Sequence, residues 1–387
     1  MVAIKKPELD ATLEAAFAAF ASKRNAEEDK PRQYLGCSVL GHDCSRKLWL
    51  TFRATKGEPI EAKGWAAIDD GHRGEDIIVE RINAVEGVTL HPANADGSQF
   101  AVTACGGHVR GHMDGAVVGL LHAPKTWHVF EAKVCNETKF KKLKQLRDKN
   151  EKEALESWDN IYYVQAQLYM GLTGMTRHWL VCATPGVRDW TSVRTEFNQA
   201  NFNAIIERAE HIIAANEPPP KISNDPSFYQ CKWCDFSKYC HGNKVPPPNC
   251  RNCAHSTPTS DGKWKCEKFD KEAADPCEHH VFIPQLIPYA EQIDMWDNIY
   301  NEKENWIEYK LTDGRTFKNG TRPPGSAIYT SEELQHTEPA MFQDSTVDAL
   351  RCGFGAEMTE NDAARLPRVN TDKPPMDWDG GGDSIPF

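Results

Sequence analysis

The alternation of apolar and polar positions divides the chain into stretches of two different periods. Residues 8–24 carry Leu9, Leu13, Phe17 and Phe20 at helical spacing, which predicts an amphipathic helix. Further helices are expected at 44–53 and 66–84, the latter containing Gly71, Glu75, Ile78 and Ile82. The period then drops to two. Residues 87–91, 99–104, 107–112, 115–121 and 127–134 read as short strands separated by Gly, Asn-Ala-Asp-Gly or Ala-Pro. Helices at 138–156 and 158–173, strands at 178–183 and 190–195, and a helix at 199–216 follow, ending in Pro218-Pro219-Pro220. A cysteine-rich stretch from Cys231 to Cys277 is interrupted by Pro246-Pro247-Pro248. Residues 281–356 suggest a helix and a hairpin that turns at Thr312-Asp313-Gly314-Arg315, and from 357 onward the polar composition predicts disorder. There is no internal repeat.

Composition places the 387 residues among soluble globular chains, with 40% hydrophobic residues and a mean hydropathy of −0.60. No stretch approaches the ~20 apolar residues of a membrane span. MVAIKKPELD lacks a signal-type apolar region, so a cytoplasmic location is expected. Thirteen cysteines then point to metal or cluster ligation rather than disulfides. The net charge of −11 would argue against a nucleic-acid partner, but it is unevenly distributed. Residues 1–268 hold 35 basic and 33 acidic side chains, whereas 269–387 hold 10 and 23. The first part also carries a basic run, Lys139, Lys141, Lys142, Lys144, Arg147 and Lys149, opposed only by Asp148. Read alone it is a solvated helix face; beside the motifs below it becomes a candidate DNA-binding surface.

Asp114 closes the run Gly111-His112-Met113-Asp114, and Glu131-Ala132-Lys133 lies inside an expected strand. Strand periodicity puts Glu131 and Lys133 on one face, and strand pairing can bring Asp114 beside them. A divalent ion needs such clustered oxygens, and a nearby lysine can touch water or phosphate. An isolated Asp-x16-Glu-x-Lys pattern is also what an exposed cross-strand pair would show. Glu75, four residues after Gly71, can add a carboxylate. Gln165 and Tyr169 share a helix face where an amide can hold phosphate or water, or where the tyrosine can simply be core.

The ordered set Gly71…Glu75, Gly111-His112-Met113-Asp114, Phe130-Glu131-Ala132-Lys133 and Gln165…Tyr169 resembles the PD-(D/E)XK nuclease superfamily, in particular its RecB-like branch with the AddB and CRISPR-adaptation types. The resemblance covers residues 40–242. It implies an α/β fold, a restriction-endonuclease-like core of a mixed sheet flanked by helices. It implies Mg²⁺ or Mn²⁺ held by Asp114, Glu131 and the Ala132 carbonyl with help from Glu75. Lys133 would stabilise phosphate charge or orient water, and Gln165 and Tyr169 would position the strand. His72 is the alternative to Glu75 as the ligand on the first of these helices.

Cys231-x2-Cys234-x5-Cys240 has ligand spacing but lacks a fourth thiolate. Iron–sulfur members of this nuclease group pair such a triplet with one upstream cysteine, which implies a [4Fe–4S] cluster on Cys44, Cys231, Cys234 and Cys240. Zinc on the same ligands and Cys37 in place of Cys44 are the alternatives. Cys250, Cys253, Cys266 and Cys277 suit a closed zinc site in a ribbon-like module, with His255, His279 and His280 as substitute ligands and a second iron site or free thiols as rivals. Cys105, Cys135, Cys182 and Cys352 have no partner at ligand spacing and read as buried thiols.

The acidic end, with Asp383 before Ile385-Pro386-Phe387, resembles the C-terminal tip of bacterial single-stranded-DNA-binding protein (SSB). That implies docking to host proteins that read this tip; covering the DNA groove is the alternative. The expected organisation is an N-terminal helix (1–30), the iron–sulfur nuclease domain (31–245), the zinc module (246–285), an accessory helix and hairpin region (286–356) and a disordered acidic tail (357–387). The expected activity is a metal-dependent exonuclease on DNA ends, with 5′→3′ resection favoured, serving recombination, repair or phage DNA metabolism. The rivals are a non-catalytic DNA-binding adaptor and a CRISPR-adaptation-type trimming endonuclease. No G-x4-GK[ST] motif is present, so unwinding would fall to a partner.

Overall fold

A computed structural model describes residues 11–27, 32–294 and 305–359. The chain forms two compact units that divide between Pro276 and Cys277. Residues 360–387 of the expected disordered tail (357–387), including the SSB-like tip at Asp383, Ile385, Pro386 and Phe387, lie outside the described residues, as does Leu9.

The first unit begins with helix α1 (Ala11–Glu27), strand β1 (Leu35–Gly36), α2 (Ser45–Phe52) and α3 (Ala62–Asn83). The strands β2 (Thr89–His91), β3 (Phe100–Ala104), β4 (Val109–Met113), β5 (Gly115–Val118) and β6 (His128–Val134) follow. Then come α4 (Glu137–Trp158), α5 (Asn160–Thr173), β7 (Arg177–Ala183), β8 (Trp190–Glu196) and α6 (Gln199–Ala214). The main sheet has the order β2-β5-β6-β7-β8, with β6 and β7 parallel and the other neighbours antiparallel. A smaller sheet, β1-β4-β3, stands beside it. This mixed sheet with its flanking helices has the α/β architecture expected from the sequence.

Alternation along β6 explains the layering. Phe130 and Ala132 enter an apolar core with Ile78 of α3, Leu90, Val117 and Val181, so Glu131 and Lys133 point to the opposite face. Two glycines permit the close packing. A Cβ at Gly74 of α3 would lie 2.3 Å from Val134 Cγ2, and one at Gly111 of β4 would lie 2.6 Å from the Tyr169 ring. α3 can therefore lie tightly on the end of β6, which brings the next residue, Glu75, within reach of Lys133.

Helix α1 departs from its expected packing. Leu13, Phe17 and Phe20 are exposed, and among its residues Ala21 is buried. The helix docks instead through Arg24, which lies 4.3 Å from the Trp65 ring centroid and 3.2 Å from Asp69 Oδ1. Helix α4 is also not continuous, because Asn150 is extended (φ −159°, ψ 97°). Asn150 ends the basic stretch and its side chain accepts from the Lys152 backbone N–H at 3.2 Å.

His178 on β7 is buried, and its ring is pulled down to about 3 by burial, with Lys133 and His128 adding repulsion. The unfolded chain takes up a proton near pH 6.5 that the folded ring refuses. This contribution to stability is fully present above pH 6.5 and is lost as pH falls towards 3, at up to ~1.4 kcal/mol per pH unit. Thermal melts from pH 7 to 4 should therefore show a shallower loss of Tm for His178→Gln than for the parent. Equal slopes would remove this account of acid sensitivity.

After α6 come the short helices α7 (Tyr229–Lys232) and α8 (Ser237–His241) and a small antiparallel sheet of β9 (Ser256–Pro258), β10 (Trp264–Cys266) and β11 (Lys271–Glu272). This sheet borrows its core from α2. Trp264 packs 4.8 Å from the Phe52 ring, Arg53 donates to the carbonyls of Arg251 and Ser256, and Arg251 donates to those of Arg32 and Phe52. Cys250, Cys253 and Cys266 belong to this unit and Cys277 to the next.

The second unit holds an antiparallel sheet of β12 (Ala290–Asp294), β13 (Trp306–Leu311) and β14 (Thr316–Gly320), with the β13–β14 turn at residues 312–315. Tyr309, Phe317 and Phe342 stack in its core, with α9 (Ser331–Leu334) and α10 (Ser345–Phe354) alongside. Glu333 is buried between Arg351 and Arg322 at 2.9 and 2.8 Å. Among the described residues, no helix is long and apolar enough to cross a membrane.

Candidate active site and cysteine cavity

Asp114 sits at the junction of β4 and β5, where the chain passes from the small sheet to the large one. Its Oδ2 accepts from the Ala132 backbone N–H at 3.0 Å and from Lys133 Nζ at 3.3 Å. Lys133 Nζ also lies 2.6 Å from Glu131 Oε1 and 4.0 Å from Glu75 Oε1, and it donates to the Ala132 carbonyl at 2.8 Å. Four oxygen donors from three segments thus converge on one ammonium. Glu131 is 2% exposed, and neither of its oxygens accepts a well-directed hydrogen bond.

Burial pushes the Glu131 carboxyl up to about 8, with Lys133 opposing and Asp114 assisting. Burial also raises Glu75. Lys133 is pulled down by burial but, under the stronger combined attraction of Glu131, Asp114 and Glu75, ends well above the usual lysine range. These donors have the chemistry of a hard-cation site, and the buried Glu131 Oε2, which has no partner, is what a divalent ion would complete. As the side chains stand, no three His, Cys, Asp or Glu groups among the described residues close on a point that could hold a metal. Lys133 occupies the centre of the carboxylate group.

The other expected residues fall at different distances from this centre. Gln165 and Tyr169 are buried on α5; Gln165 Nε2 donates to Tyr169 Oη at 3.1 Å, and Tyr169 Oη donates to the His112 carbonyl at 2.7 Å. They brace the strand that leads into Asp114. His72 is exposed, one helical turn from the carboxylate cluster that Glu75 joins. In the basic run, Lys139 pairs with Asp159 at 3.4 Å, Lys141 with Glu137 at 2.9 Å and Arg147 with Asp148 at 2.6 Å. Lys142, Lys144 and Lys149 make no ion pair among the described residues, so about half the run is left to attract an anionic partner. Tyr162, not singled out from sequence, lies on α5 with its ring centroid 5.8 Å from Lys133 Nζ. Its position three residues before Gln165, on the same helix face, was the available signal.

Cys44, Cys231, Cys234 and Cys240 all line one cavity of about 540 Å³, together with His42, Asp43, Arg46 and Lys142. Long-range bonds bring the ends of the unit together there. Arg46 Nε donates to the Pro219 carbonyl at 2.6 Å, Trp49 Nε1 to that of Ala215 at 2.8 Å, and Gln230 Nε2 to Asp43 Oδ2 at 2.7 Å. Cys44 caps α2, its sulfur accepting from the Lys47 backbone N–H at 3.4 Å. Burial raises the thiols of Cys231, Cys234 and Cys240. Cys37 is fully buried elsewhere, beneath Gly111. Cys250 Sγ donates to the Asp275 carbonyl at 3.0 Å. Of the four cysteines expected to be buried thiols, Cys182 is buried, whereas Cys105, Cys135 and Cys352 are half-exposed.

No family model matches the chain, and no curated protein matches it. Solved structures that resemble it include SSO0001, at 15% identity over 60% of this chain and 98% of that one, with a TM-score of 0.34. An alkaline exonuclease (LHK-Exo) from Laribacter hongkongensis is similar at 15% identity over 52% and 91%, with a TM-score of 0.34. A phage related exonuclease from Haemophilus somnus 129PT is similar at 12% identity over 46% and 91%, with a TM-score of 0.29. None of these likenesses reaches the level at which shape implies activity.

Proposed function

We propose that the chain is a divalent-metal-dependent deoxyribonuclease that hydrolyses phosphodiesters at DNA ends. The observation that carries this reading is the convergence of Asp114, Glu131, Glu75 and the Ala132 carbonyl on Lys133 Nζ, with the buried Glu131 Oε2 left without a partner. The same four oxygens would hold Mg²⁺ or Mn²⁺. Bound there, the ion supplies Lewis-acid charge at the scissile phosphate and eases formation of the attacking hydroxide. Lys133, held in its charged form by the surrounding carboxylates, would stabilise charge on the phosphate or orient the attacking water. Tyr169, through the His112 carbonyl, holds the end of β4, and the Asp114 bond to the Ala132 N–H ties the residue that follows to β6. Lys142, Lys144 and Lys149 on α4 would engage the DNA backbone.

A [4Fe–4S] cluster on Cys44, Cys231, Cys234 and Cys240 belongs to the same proposal, supported by the shared cavity. A structural zinc ion on Cys250, Cys253, Cys266 and Cys277 is proposed from the spacing of these cysteines in the sequence alone. Docking of host proteins to the SSB-like tip is proposed from sequence alone.

End-labelled single- and double-stranded DNA, with free or blocked ends, is the direct test. With Mg²⁺ or Mn²⁺, and not with chelator, free ends should shorten progressively and blocked ends should persist. Cutting of blocked DNA would favour an endonuclease, and DNA binding without cutting would favour the adaptor reading.

A further inference from the structure

Two cysteines that no proposed metal site uses meet at the edge of the carboxylate cluster. Cys135 follows the last residue of β6, two positions after Lys133, and its backbone N–H donates to the Ala183 carbonyl of β7 at 2.9 Å. Cys182 lies on β7 opposite Lys133 and is fully buried. Their sulfurs are 3.4 Å apart, so one thiol donates a hydrogen bond to the other. Cys135 is half-buried, whereas Cys182 is enclosed.

We propose that Cys135 and Cys182 form a reversible oxidation site for hydroperoxides. The Cys135 thiolate attacks one peroxide oxygen; an S–O bond forms, the O–O bond breaks and hydroxide leaves. Sulfur is oxidised by two electrons to a sulfenic acid, and the peroxide is reduced. The Cys182 sulfur then attacks the sulfenic sulfur; the S–S bond forms, the S–O bond breaks and water departs with the Cys182 proton. In sum, two thiols and one hydrogen peroxide give one disulfide and two waters.

Two features support this order. Cys135 is the half-buried, less enclosed member and Cys182 the fully buried resolving one. The Cys135 thiol is pulled below its usual range by the hydrogen bond from Cys182, against burial and with help from Lys139. By contrast, burial pushes Cys37 up to about 12, which makes it a slow internal reference. Bonding requires the sulfurs to close by more than ~1 Å, to the ~2.05 Å of a disulfide. Cys135 lies in the connection between β6 and α4, directly after the strand that carries Glu131 and Lys133. Oxidation is thereby linked to the geometry of that strand.

The test uses full-length protein purified anaerobically, treated with hydrogen peroxide, quenched by alkylation and digested. A peptide pair joining Cys135 to Cys182, two hydrogens lighter than the reduced peptides, should form at least ~10-fold faster than Cys37 is lost to alkylation. Dithiothreitol should release it. Cys182→Ala should instead accumulate a dimedone-reactive sulfenic acid at Cys135. The proposal is overturned if both cysteines stay alkylatable while Cys37 reacts, if Cys135 is found joined to another cysteine, or if Cys182→Ala yields no dimedone adduct at Cys135. These readouts are chemical and do not depend on DNA cleavage.

Discussion

Lys133→Ala and Asp114→Asn should each lower Mg²⁺-dependent cleavage of end-labelled DNA by on the order of 10³-fold, equivalent to ~4 kcal/mol of barrier. The two substitutions remove different things. Asp114→Asn keeps an oxygen that can accept the Ala132 N–H, seen at 3.0 Å, but loses the negative charge needed by a divalent ion. Lys133→Ala removes the cation that meets the phosphate while leaving every carboxylate in place. It also leaves Glu131 buried without its 2.6 Å partner, which costs the metal-free protein stability. Thermal melts with and without Mn²⁺ separate the two effects. Asp114→Asn should melt close to the parent in chelator yet lose the upward shift that Mn²⁺ gives. Parent-like cleavage by either variant would reject the site assignment.

Cys44→Ser and Cys231→Ser should each abolish bound iron and the visible absorbance of anaerobically purified protein. Both should also lower thermal stability sharply. A cluster joining these positions closes a loop of about 190 residues, and a cross-link of that span stabilises by up to ~5 kcal/mol in the loop-entropy picture. Cys37→Ser and Cys352→Ser serve as controls and should keep their iron, because Cys37 is sealed in the core and neither residue lines the cysteine cavity. Full iron in Cys44→Ser, or iron lost from Cys37→Ser, would overturn the ligand set. Zinc instead of iron by metal analysis would keep the ligands and change the metal.

Much of the core was legible because its signals are local. Apolar alternation marks β6 at its true place, and the spacing of Glu131 and Lys133 puts both on one strand face. The basic run was legible as a helix, but not its break, because Asn150 interrupts a stretch whose composition is helical throughout. The apolar stripe of α1 misled for a related reason. Periodicity shows that a helix has an apolar face and is silent on whether another element covers it, and Leu13, Phe17 and Phe20 remain exposed.

The sequence by itself determined which groups are available and in what order: three carboxylates and a lysine along a helix–strand succession, and cysteines at ligand spacing. Only the tertiary structure decided which of them meet. Lys133 faces Asp114 because β5 and β6 pair in one register, and Glu75 reaches it because Gly74 lets α3 lie against Val134. Cys44 joins Cys231 because Arg46 and Trp49 bind carbonyls beyond α6. Cys135 and Cys182, 47 residues apart and without a motif, touch because β6 and β7 run side by side. The physical reason is the same in each case: period and spacing are properties of neighbouring residues, whereas contacts across long separations depend on sheet register and on which surfaces can approach closely.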